Sequence, residues 1–295
     1  MKLVSYRLRD RTGVGAVVDA RVIDLEPALR ELPPGGAVAG EPDMLSLLRA
    51  GERGLAVVAA YLRRVGAPAA SPALADVELL APVPRPGKVV AVGRNYADHA
   101  AETGVKPFEA PRIIAKLPSS VAAPGSVVPR PEGVAKLDYE IELAAVIGSR
   151  AHRVARADAL AAVAGYTILD DVSAREFQFD VSPPQTTFAK SMDGFCPMGP
   201  WLVTRDEIPD PQALRLRTFV NGELVQDGNT HDMLVDVAGL IEYISRYMTL
   251  EPGDVLATGT PAGVGAFRKP PRYLDPGDRL RLEISTIGVL EHAIG

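Results

Sequence analysis

The 295-residue sequence contains a single cysteine, Cys196, so the chain cannot close an internal disulfide or assemble a thiolate metal cluster. It has no run of about 18 apolar residues, and its first ten residues lack the apolar segment of a secretion signal. Basic residues number 32 against 37 acidic ones, which gives a net charge of −5. These features predict a cytoplasmic protein that does not enter a membrane, and they argue against nucleic acid as a partner.

Several catalytic and nucleotide-binding motifs are also missing. The sequence has no G-x-S-x-G elbow, which argues against serine hydrolase chemistry. The glycine-rich stretch GTPAGVG, residues 259–265, lacks the spacing of a dinucleotide-binding loop and the G-K-[ST] of a P-loop. Two interpretations of this stretch stay open: its backbone amides and Thr260 approach an anion, or it is a tight structural turn.

Proline and glycine divide the chain into short elements. There are 26 prolines and 27 glycines, a density that favours strands and turns over a helical bundle. Residues 1–80 contain strand-like segments followed by helix-like ones, and three closely spaced prolines then indicate an extended linker: Pro82, Pro84 and Pro86. We therefore predict a small N-terminal domain at 1–80 and a larger domain at 81–295.

The larger domain contains mainly strand patterns. KVVAVG, IELAAVIG and TILDD are typical of buried strands, and Asn221-Gly222 is the sequence of a tight hairpin turn. ADALAAVAGY predicts a helix that ends at Gly165. The sequence thus predicts an α+β fold that is mainly β.

The segment LDYEIELAAVIG contains the most informative acidic residues. Alternation along a strand places Glu140 and Glu142 on one face, with Asp138 in line behind them. Another acidic pair, Asp170-Asp171, ends the apolar strand TILDD. Clustered carboxylates without a His or Cys cluster suit hard ions such as Mg²⁺ or Mn²⁺. The alternative is that Glu140 and Glu142 lie on a solvent-facing side of the strand.

His99 and Glu102 form a second candidate site. They stand three positions apart, so one helical turn brings them to the same face. A carboxylate beside an imidazole orients it and raises its basicity, as a general base for water requires. The alternative is an ordinary His–Glu pair at the protein surface.

Seven segments together resemble the fumarylacetoacetate hydrolase family. They occur in the expected order over about residues 88–266: KVVAVGRNYADHAAETG, AKLPSSV, LDYEIELAAVIG, GYTILDDVSARE, FAKSMDGFCPMGPWLV, VNGELVQDG and LEPGDVLATGTPAGVG. The resemblance implies a mixed β-sandwich roll with a smaller N-terminal α/β domain. It also implies one Mg²⁺ or Mn²⁺ ion per subunit and a homodimer.

The resemblance assigns roles to individual residues. Glu140, Glu142 and Asp171 match the metal ligands, while Asp170 is the less suitable neighbour. Lys190 matches a lysine that contacts the substrate beside the metal, and His99 with Glu102 matches a water-activating dyad. The positions that line the substrate pocket in the family are matched by Arg175, Gln178 and Thr260. One departure is Ile114-Ala115-Lys116, where relatives often have an aromatic residue two positions before the lysine.

The implied activity is metal-dependent cleavage of a C–C bond in a small 2-oxo or 1,3-dioxo acid through a metal-bound enolate. The family also includes isomerases of 2-hydroxyhepta-2,4-diene-1,7-dioate and oxaloacetate decarboxylases. An oxaloacetate keto–enol tautomerase or decarboxylase that uses the same residues is therefore the alternative. A third possibility is a metabolite-binding member without turnover.

Overall fold

The computed structural model describes residues 1–32, 43–104 and 108–295. Within these ranges strands account for 35% of the residues and helices for 26%, which confirms the prediction of an α+β fold with more strand than helix. None of the described helices is both long enough and apolar enough to cross a membrane.

Outside residues 33–42, the N-terminal segment forms four strands and three α-helices: β1 (Lys2–Leu8), β2 (Arg11–Val18), β3 (Arg21–Asp24), α1 (Glu26–Arg30), α2 (Met44–Arg49), α3 (Gly51–Val65) and β4 (Glu78–Leu80). Asp43 caps α2, because its carboxylate accepts a hydrogen bond from the Ser46 N–H at 2.8 Å. A two-residue turn at Asp19-Ala20, both with positive φ, joins β2 to β3 and matches the right-handed twist of the hairpin.

The first half of the larger segment contains β5 (Val89–Gly93), α4 (Ala97–Glu102), β6 (Arg112–Lys116), β7 (Val121–Ala122), β8 (Val127–Val128), β9 (Leu137–Asp138), β10 (Ile141–Ile147), α5 (Arg156–Ala159) and β11 (Val163–Asp170). The predicted end of a helix at Gly165 is wrong, because α5 ends at Ala159 and Gly165 lies within β11. At Gly165 a Cβ atom would lie 2.2 Å from the Val203 carbonyl oxygen, so the close approach of two strands requires glycine there.

The second half contains β12 (Ser173–Ala174), α6 (Arg175–Phe179), α7 (Thr186–Ala189), β13 (Cys196–Thr204), β14 (Arg215–Val220), β15 (Glu223–Asn229), α8 (Val237–Tyr247), β16 (Val255–Ala257), β17 (Arg279–Ile284) and β18 (Gly288–Ile294). The hairpin predicted at Asn221-Gly222 is confirmed, since these two residues, both with positive φ, connect β14 to β15.

Two large sheets organise these strands. The first has the order β3-β2-β1-β13-β11-β10-β16-β5-β6, with β4 beside β1 and β7 beside β13. The second has the order β15-β14-β17-β18-β8, and β12 pairs separately with β9. Because β1 pairs with β13, the N-terminal strands extend the central sheet. The division into domains at residue 80 stays a prediction.

Both faces of the central sheet are covered, and β10 shows this directly. Leu143, Ala145 and Ile147 belong to a core that also contains side chains of the second sheet and of α8. The intervening Ala144 and Val146 belong to a second core that contains the helices of the N-terminal segment. A strand that is covered on both sides becomes apolar almost throughout, so the two glutamates at its start stand out.

Candidate metal centre and substrate cleft

Three carboxylates converge where β10 begins and β11 ends. Glu140, Glu142 and Asp171 each offer an oxygen atom within 4.8 Å of the others, and all three residues are buried. The two strands are antiparallel and pair Ile141 with Asp170, so the start of one lies beside the end of the other. The Asp171 N–H donates to the Glu140 carbonyl oxygen at 2.9 Å, which fixes this arrangement.

The charges in this cluster are only partly compensated. Burial raises the pKa of Glu140, but the positive charges of Lys190 and Arg175 outweigh it and hold that pKa well below its usual range. Burial also raises the pKa of Glu142, and the adjacent charges of Asp171 and Glu140 raise it further. The three side chains offer only oxygen atoms, and the negative charge of Glu142 is not balanced by the neighbouring cations. This arrangement fits a hard divalent cation.

Two lysines form hydrogen bonds with the carboxylates. The Lys190 ammonium donates to Asp171 Oδ2 at 2.6 Å, to Ser173 Oγ at 2.8 Å and to Glu140 Oε2 at 3.0 Å. Burial lowers the pKa of Lys190, but Asp171 and Glu140 raise it by more, so the net pKa is raised and the ammonium keeps its charge. The Lys116 ammonium donates to Asp171 Oδ1 at 2.7 Å and to the Phe195 carbonyl oxygen at 2.9 Å.

Arg175 connects the carboxylates to the cleft wall. Its guanidinium lies 2.7 Å from Glu140 Oε1 and donates from Nε to Asp138 Oδ2 at 2.8 Å. It also donates to Gln178 Oε1 at 2.9 Å. The two carboxylates raise the pKa of Arg175 above its usual value in spite of burial, which lowers it. Arg175 therefore stays positively charged, and it holds Glu140 and Gln178 in position.

Helix α4 places the His–Glu pair at the edge of the same cleft. His99 Nδ1 lies 2.7 Å from Glu102 Oε1, and the imidazole is buried. Since a carboxylate accepts hydrogen bonds, this contact requires a proton on Nδ1, and the tautomer with its proton there has its lone pair on Nε2. The ring of Phe267 packs edge-on against the imidazole at 6.2 Å between centroids.

The glycine-rich turn after β16 binds the protein's own carboxylates. The Gly259 N–H donates to Glu142 Oε2 at 2.8 Å, and the Gly263 N–H donates to Glu102 Oε2 at 3.0 Å. Gly265 and Ala266 donate from their backbone N–H groups to the two oxygens of Asp138, at 2.7 and 2.9 Å. The backbone amides of this stretch therefore meet anions, as the first interpretation proposed, but these anions are carboxylates of the protein itself, and the Thr260 hydroxyl meets the amide of Gln226.

A cavity of about 50 Å³ joins these groups. Eight of the nine residues proposed from the sequence line it: His99, Glu140, Glu142, Asp171, Arg175, Gln178, Lys190 and Thr260. The ninth, Glu102, lies behind His99. The Thr260 hydroxyl accepts a hydrogen bond from Gln226 Nε2 at 2.8 Å. The roles given to these residues stay predictions, but the fold brings the whole set together.

Asp170 points away from the three carboxylates. Its Oδ1 accepts the Glu140 N–H at 2.8 Å, and its Oδ2 lies 2.7 Å from Nε2 of the buried His292. The carboxylate thus supports the backbone next to Glu140 and does not join the cluster.

The structure also reveals residues that sequence reasoning did not assign to the site. Asp138 and Gln226 hold Arg175 and Thr260, while Arg94 and Arg112 line the cleft. The sequence did contain a signal for Asp138, because it lies two positions before Glu140 and strand alternation places both on the same face. The other three are isolated polar residues, and only the tertiary fold places them here.

The chain is similar to known proteins over most or all of its length. A sequence model of the fumarylacetoacetate hydrolase C-terminal domain matches residues 88–295. The chain is 46% identical over 215 residues to the human mitochondrial oxaloacetate tautomerase FAHD2A, covering 73% of this chain and 68% of that protein. It is 38% identical to the oxaloacetate tautomerase YisK of Bacillus subtilis, and the match covers 100% of both chains.

Two solved structures are similar over the full chain. A protein described as a putative HpcE from Mycobacterium smegmatis superposes with a TM-score of 0.86 at 36% identity, covering 100% of this chain and 99% of that one. Maleylpyruvate hydrolase from Sphingobium sp. SYK-6, in complex with manganese(II) and pyruvate, superposes with a TM-score of 0.80 at 32% identity, covering 100% and 98%.

Proposed function

The chain belongs to the fumarylacetoacetate hydrolase family, and we propose that it is a divalent-metal-dependent enzyme that interconverts the keto and enol forms of oxaloacetate. The observation that carries the proposal is the position of the His99–Glu102 pair and Lys190 beside the three buried carboxylates in one cleft. The relatives named oxaloacetate tautomerase, one of which matches the full chain, support this reaction over C–C cleavage.

Glu140, Glu142 and Asp171 would hold the ion. A divalent ion at such a site supplies Lewis-acid polarisation of the 2-oxo group of the substrate. The chain's own groups contribute the rest of the chemistry. Lys190 keeps a fixed positive charge beside the position where negative charge develops on oxygen, and no reorganisation is needed during the reaction.

His99 is suited to move the proton. Its Nε2 takes a proton from C3 of the keto acid, and water protonates the resulting enolate oxygen. The imidazolium then gives its proton to the hydroxide that remains, so the enol has the same atoms as the ketone and His99 is neutral again. In the reverse direction water protonates His99, the resulting hydroxide takes the proton of the enol hydroxyl, and the imidazolium gives its proton to C3. Glu102 holds Nδ1–H throughout and stabilises the charged imidazolium.

Hydrolytic C–C cleavage of an acylpyruvate is the second candidate. Its support is the similarity to maleylpyruvate hydrolase, a structure that contains manganese and pyruvate. In that reaction the same Nε2 would take a proton from water as the water attacks the distal carbonyl carbon. The C–C bond would then break to give a carboxylic acid and the enolate of pyruvate, and the imidazolium would return the proton to that enolate.

A proton NMR time course with Mg²⁺ tests both candidates, with oxaloacetate and one acylpyruvate in parallel and Glu142→Ala as the control. We expect enol–keto exchange of oxaloacetate to be faster with the wild-type protein than with Glu142→Ala. Selective formation of pyruvate and a second acid from the acylpyruvate would replace tautomerisation by hydrolysis. Equal rates for wild type and Glu142→Ala on both substrates would contradict the proposal.

The choice between Mg²⁺ and Mn²⁺, the homodimer and the cytoplasmic location also stay proposals. The human relative is named as mitochondrial and the Bacillus subtilis relative is bacterial, so the names of relatives favour no single compartment. Light scattering of the purified protein tests the homodimer.

A further inference from the structure

Two arginines line the cleft, and neither has a carboxylate partner within the part of the chain that the structure describes. Arg94 follows β5 directly and Arg112 begins β6, and the pairing of Gly93 with Arg112 makes them neighbours. Among the described residues neither guanidinium forms an ion pair. Arg112 donates to the Thr186 hydroxyl at 3.3 Å, and Arg94 lies over the ring of Phe108 at 5.4 Å.

The other cations at the site differ in this respect. Lys116, Lys190 and Arg175 each bond directly to carboxylates of the site. Arg94 and Arg112 are only half-buried, but they lie close enough to repel each other. Burial lowers the pKa of Arg94, and the charge of Arg112 lowers it further. Two like charges in a cleft repel each other, and an anion that binds between or beside them removes this repulsion.

The backbone at Arg94 supports the same conclusion. Its φ is +57°, in the left-handed region that favours glycine. The fold therefore keeps a long cationic side chain at a strained position beside the cleft. Residues in this region cluster at sites that bind ligands, and they also occur in turns such as Asp19-Ala20.

Strand β6 shows where the pair lies relative to the carboxylates. Residues two apart on a strand share a face, so Arg112, Ile114 and Lys116 lie along one side of β6. Lys116 bonds to Asp171 at the carboxylate end, while Arg112 begins the strand four residues away, about 13 Å along the backbone. The backbone of Arg112 therefore lies away from the ion ligands, while the side chains of both arginines line the same cavity as those ligands.

We propose that Arg94 and Arg112 bind the second carboxylate of a dicarboxylic 2-oxo acid whose 2-oxo acid end lies at Glu140, Glu142 and Asp171. The guanidinium group suits this role because its planar array of donors matches both oxygens of a carboxylate. The proposal rests on the proposed function and makes it more specific: the enzyme selects dianions over monoanions through these arginines.

The test compares oxaloacetate with its 4-methyl ester, which has the same 2-oxo acid end and no second carboxylate. Arg112→Gln and Arg94→Gln are measured with both compounds in the presence of Mg²⁺, and Arg63→Gln, an exposed position on α3, is the matched control. We expect kcat/KM for oxaloacetate to fall about tenfold to hundredfold in each cleft variant. The value for the ester should change less than about threefold, and Arg63→Gln should change neither value.

An equal loss for both compounds, or no loss for oxaloacetate, would overturn the proposal. Melting temperature and Mn²⁺ affinity confirm that each variant keeps its fold and its ion site, and Arg112→Lys, which retains the charge, should keep part of the preference. If the wild type turns over neither compound, the proposed reaction fails. Calorimetric binding of the two compounds to the Mn²⁺-loaded protein then tests whether the arginines bind the second carboxylate. Tighter binding of the dianion that Arg112→Gln abolishes would support this role. Equal binding of the two compounds to the wild type would refute it.

Discussion

Glu102 accepts a hydrogen bond from the backbone N–H of Gly263 at 3.0 Å, although the two residues are 161 positions apart in the chain. The other oxygen of the same carboxylate holds His99. The Gly259 N–H, four residues earlier in the same turn, donates to Glu142. One turn therefore sets the positions of both the proposed base and a proposed ion ligand.

Gly263→Ala tests this relationship. Gly263 has a φ of +107°, and a Cβ atom there would lie 2.1 Å from the Val225 carbonyl oxygen, so the turn must shift. We expect a loss of about 1–3 kcal/mol in unfolding free energy and at least a tenfold loss in kcat. Gly277→Ala is the control, because Gly277 also has a positive φ but has no atom within 4 Å of the added Cβ. Equal kinetic losses in the two variants would contradict a role of the turn in positioning Glu102.

His99→Ala should separate proton transfer from ion binding. Removal of a general base lowers a rate by about a hundredfold to ten-thousandfold, while the three carboxylates stay in place. We expect kcat to fall by that amount and Mn²⁺ affinity, measured by calorimetry, to stay within about threefold of wild type. His152→Ala, at an exposed histidine, should leave both quantities unchanged. Full activity without His99 would show that another group moves the proton.

Ion binding should release a proton from Glu142. In the ion-free protein its pKa is raised, chiefly by burial and then by the charges of Asp171 and Glu140. Because the pKa of Glu142 is raised, its protonated form contributes to the stability of the fold. This contribution is complete at a pH below the pKa of a carboxyl group in the unfolded chain, and it is lost as the pH rises through the folded-state pKa. An ion binds the carboxylate form, so its affinity should increase with pH until Glu142 is fully ionised.

Calorimetric titration of Mn²⁺ in two buffers of different ionisation enthalpy measures this proton. The number of protons released per bound ion should fall as the pH rises. In Glu142→Gln this pH dependence of proton release should disappear. The Mn²⁺ affinity should fall about a hundredfold or more, because a ligand is lost. An unchanged affinity in this variant would remove Glu142 from the ligand set.

Asp170→Ala should be destabilising without removing an ion ligand. The substitution leaves the Glu140 N–H and His292 Nε2 without their acceptor in a fully buried position. Two unsatisfied buried groups cost about 2–5 kcal/mol together, which urea unfolding would measure. Asp170→Asn, which keeps the acceptor for Glu140, should lose less. Equal stability of the two variants would contradict the supporting role of Asp170.

The sequence predicted best the features that depend on neighbouring residues. Alternation placed Glu140 and Glu142 on one side of a strand, one helical turn joined His99 to Glu102, and Asn221-Gly222 specified its hairpin. The end of α5 was predicted wrongly, because a short buried apolar segment has the same appearance in a helix and in a strand.

Contacts between distant segments were beyond local patterns. The pattern named the pair Asp170-Asp171, but only the family resemblance chose Asp171 as the ligand, since strand pairing brings it to Glu140 across 31 positions. The partners of the glycine-rich turn and the approach of Arg94 to Arg112 depend in the same way on how β5, β6 and β16 pair. No spacing rule connects such positions before the fold is known.

The second core, which contains side chains from both sides of residue 80, affects how the protein unfolds. Leu3, Leu47 and Val58 of the N-terminal segment belong to the same buried cluster as Leu169 and Met198 of the central sheet. Cleavage of the chain after residue 80 would expose this face to water, and the resulting apolar surface would favour aggregation. We therefore expect the N-terminal segment and the ion-binding part to melt in one cooperative transition, so that damage to either is detected as loss of both.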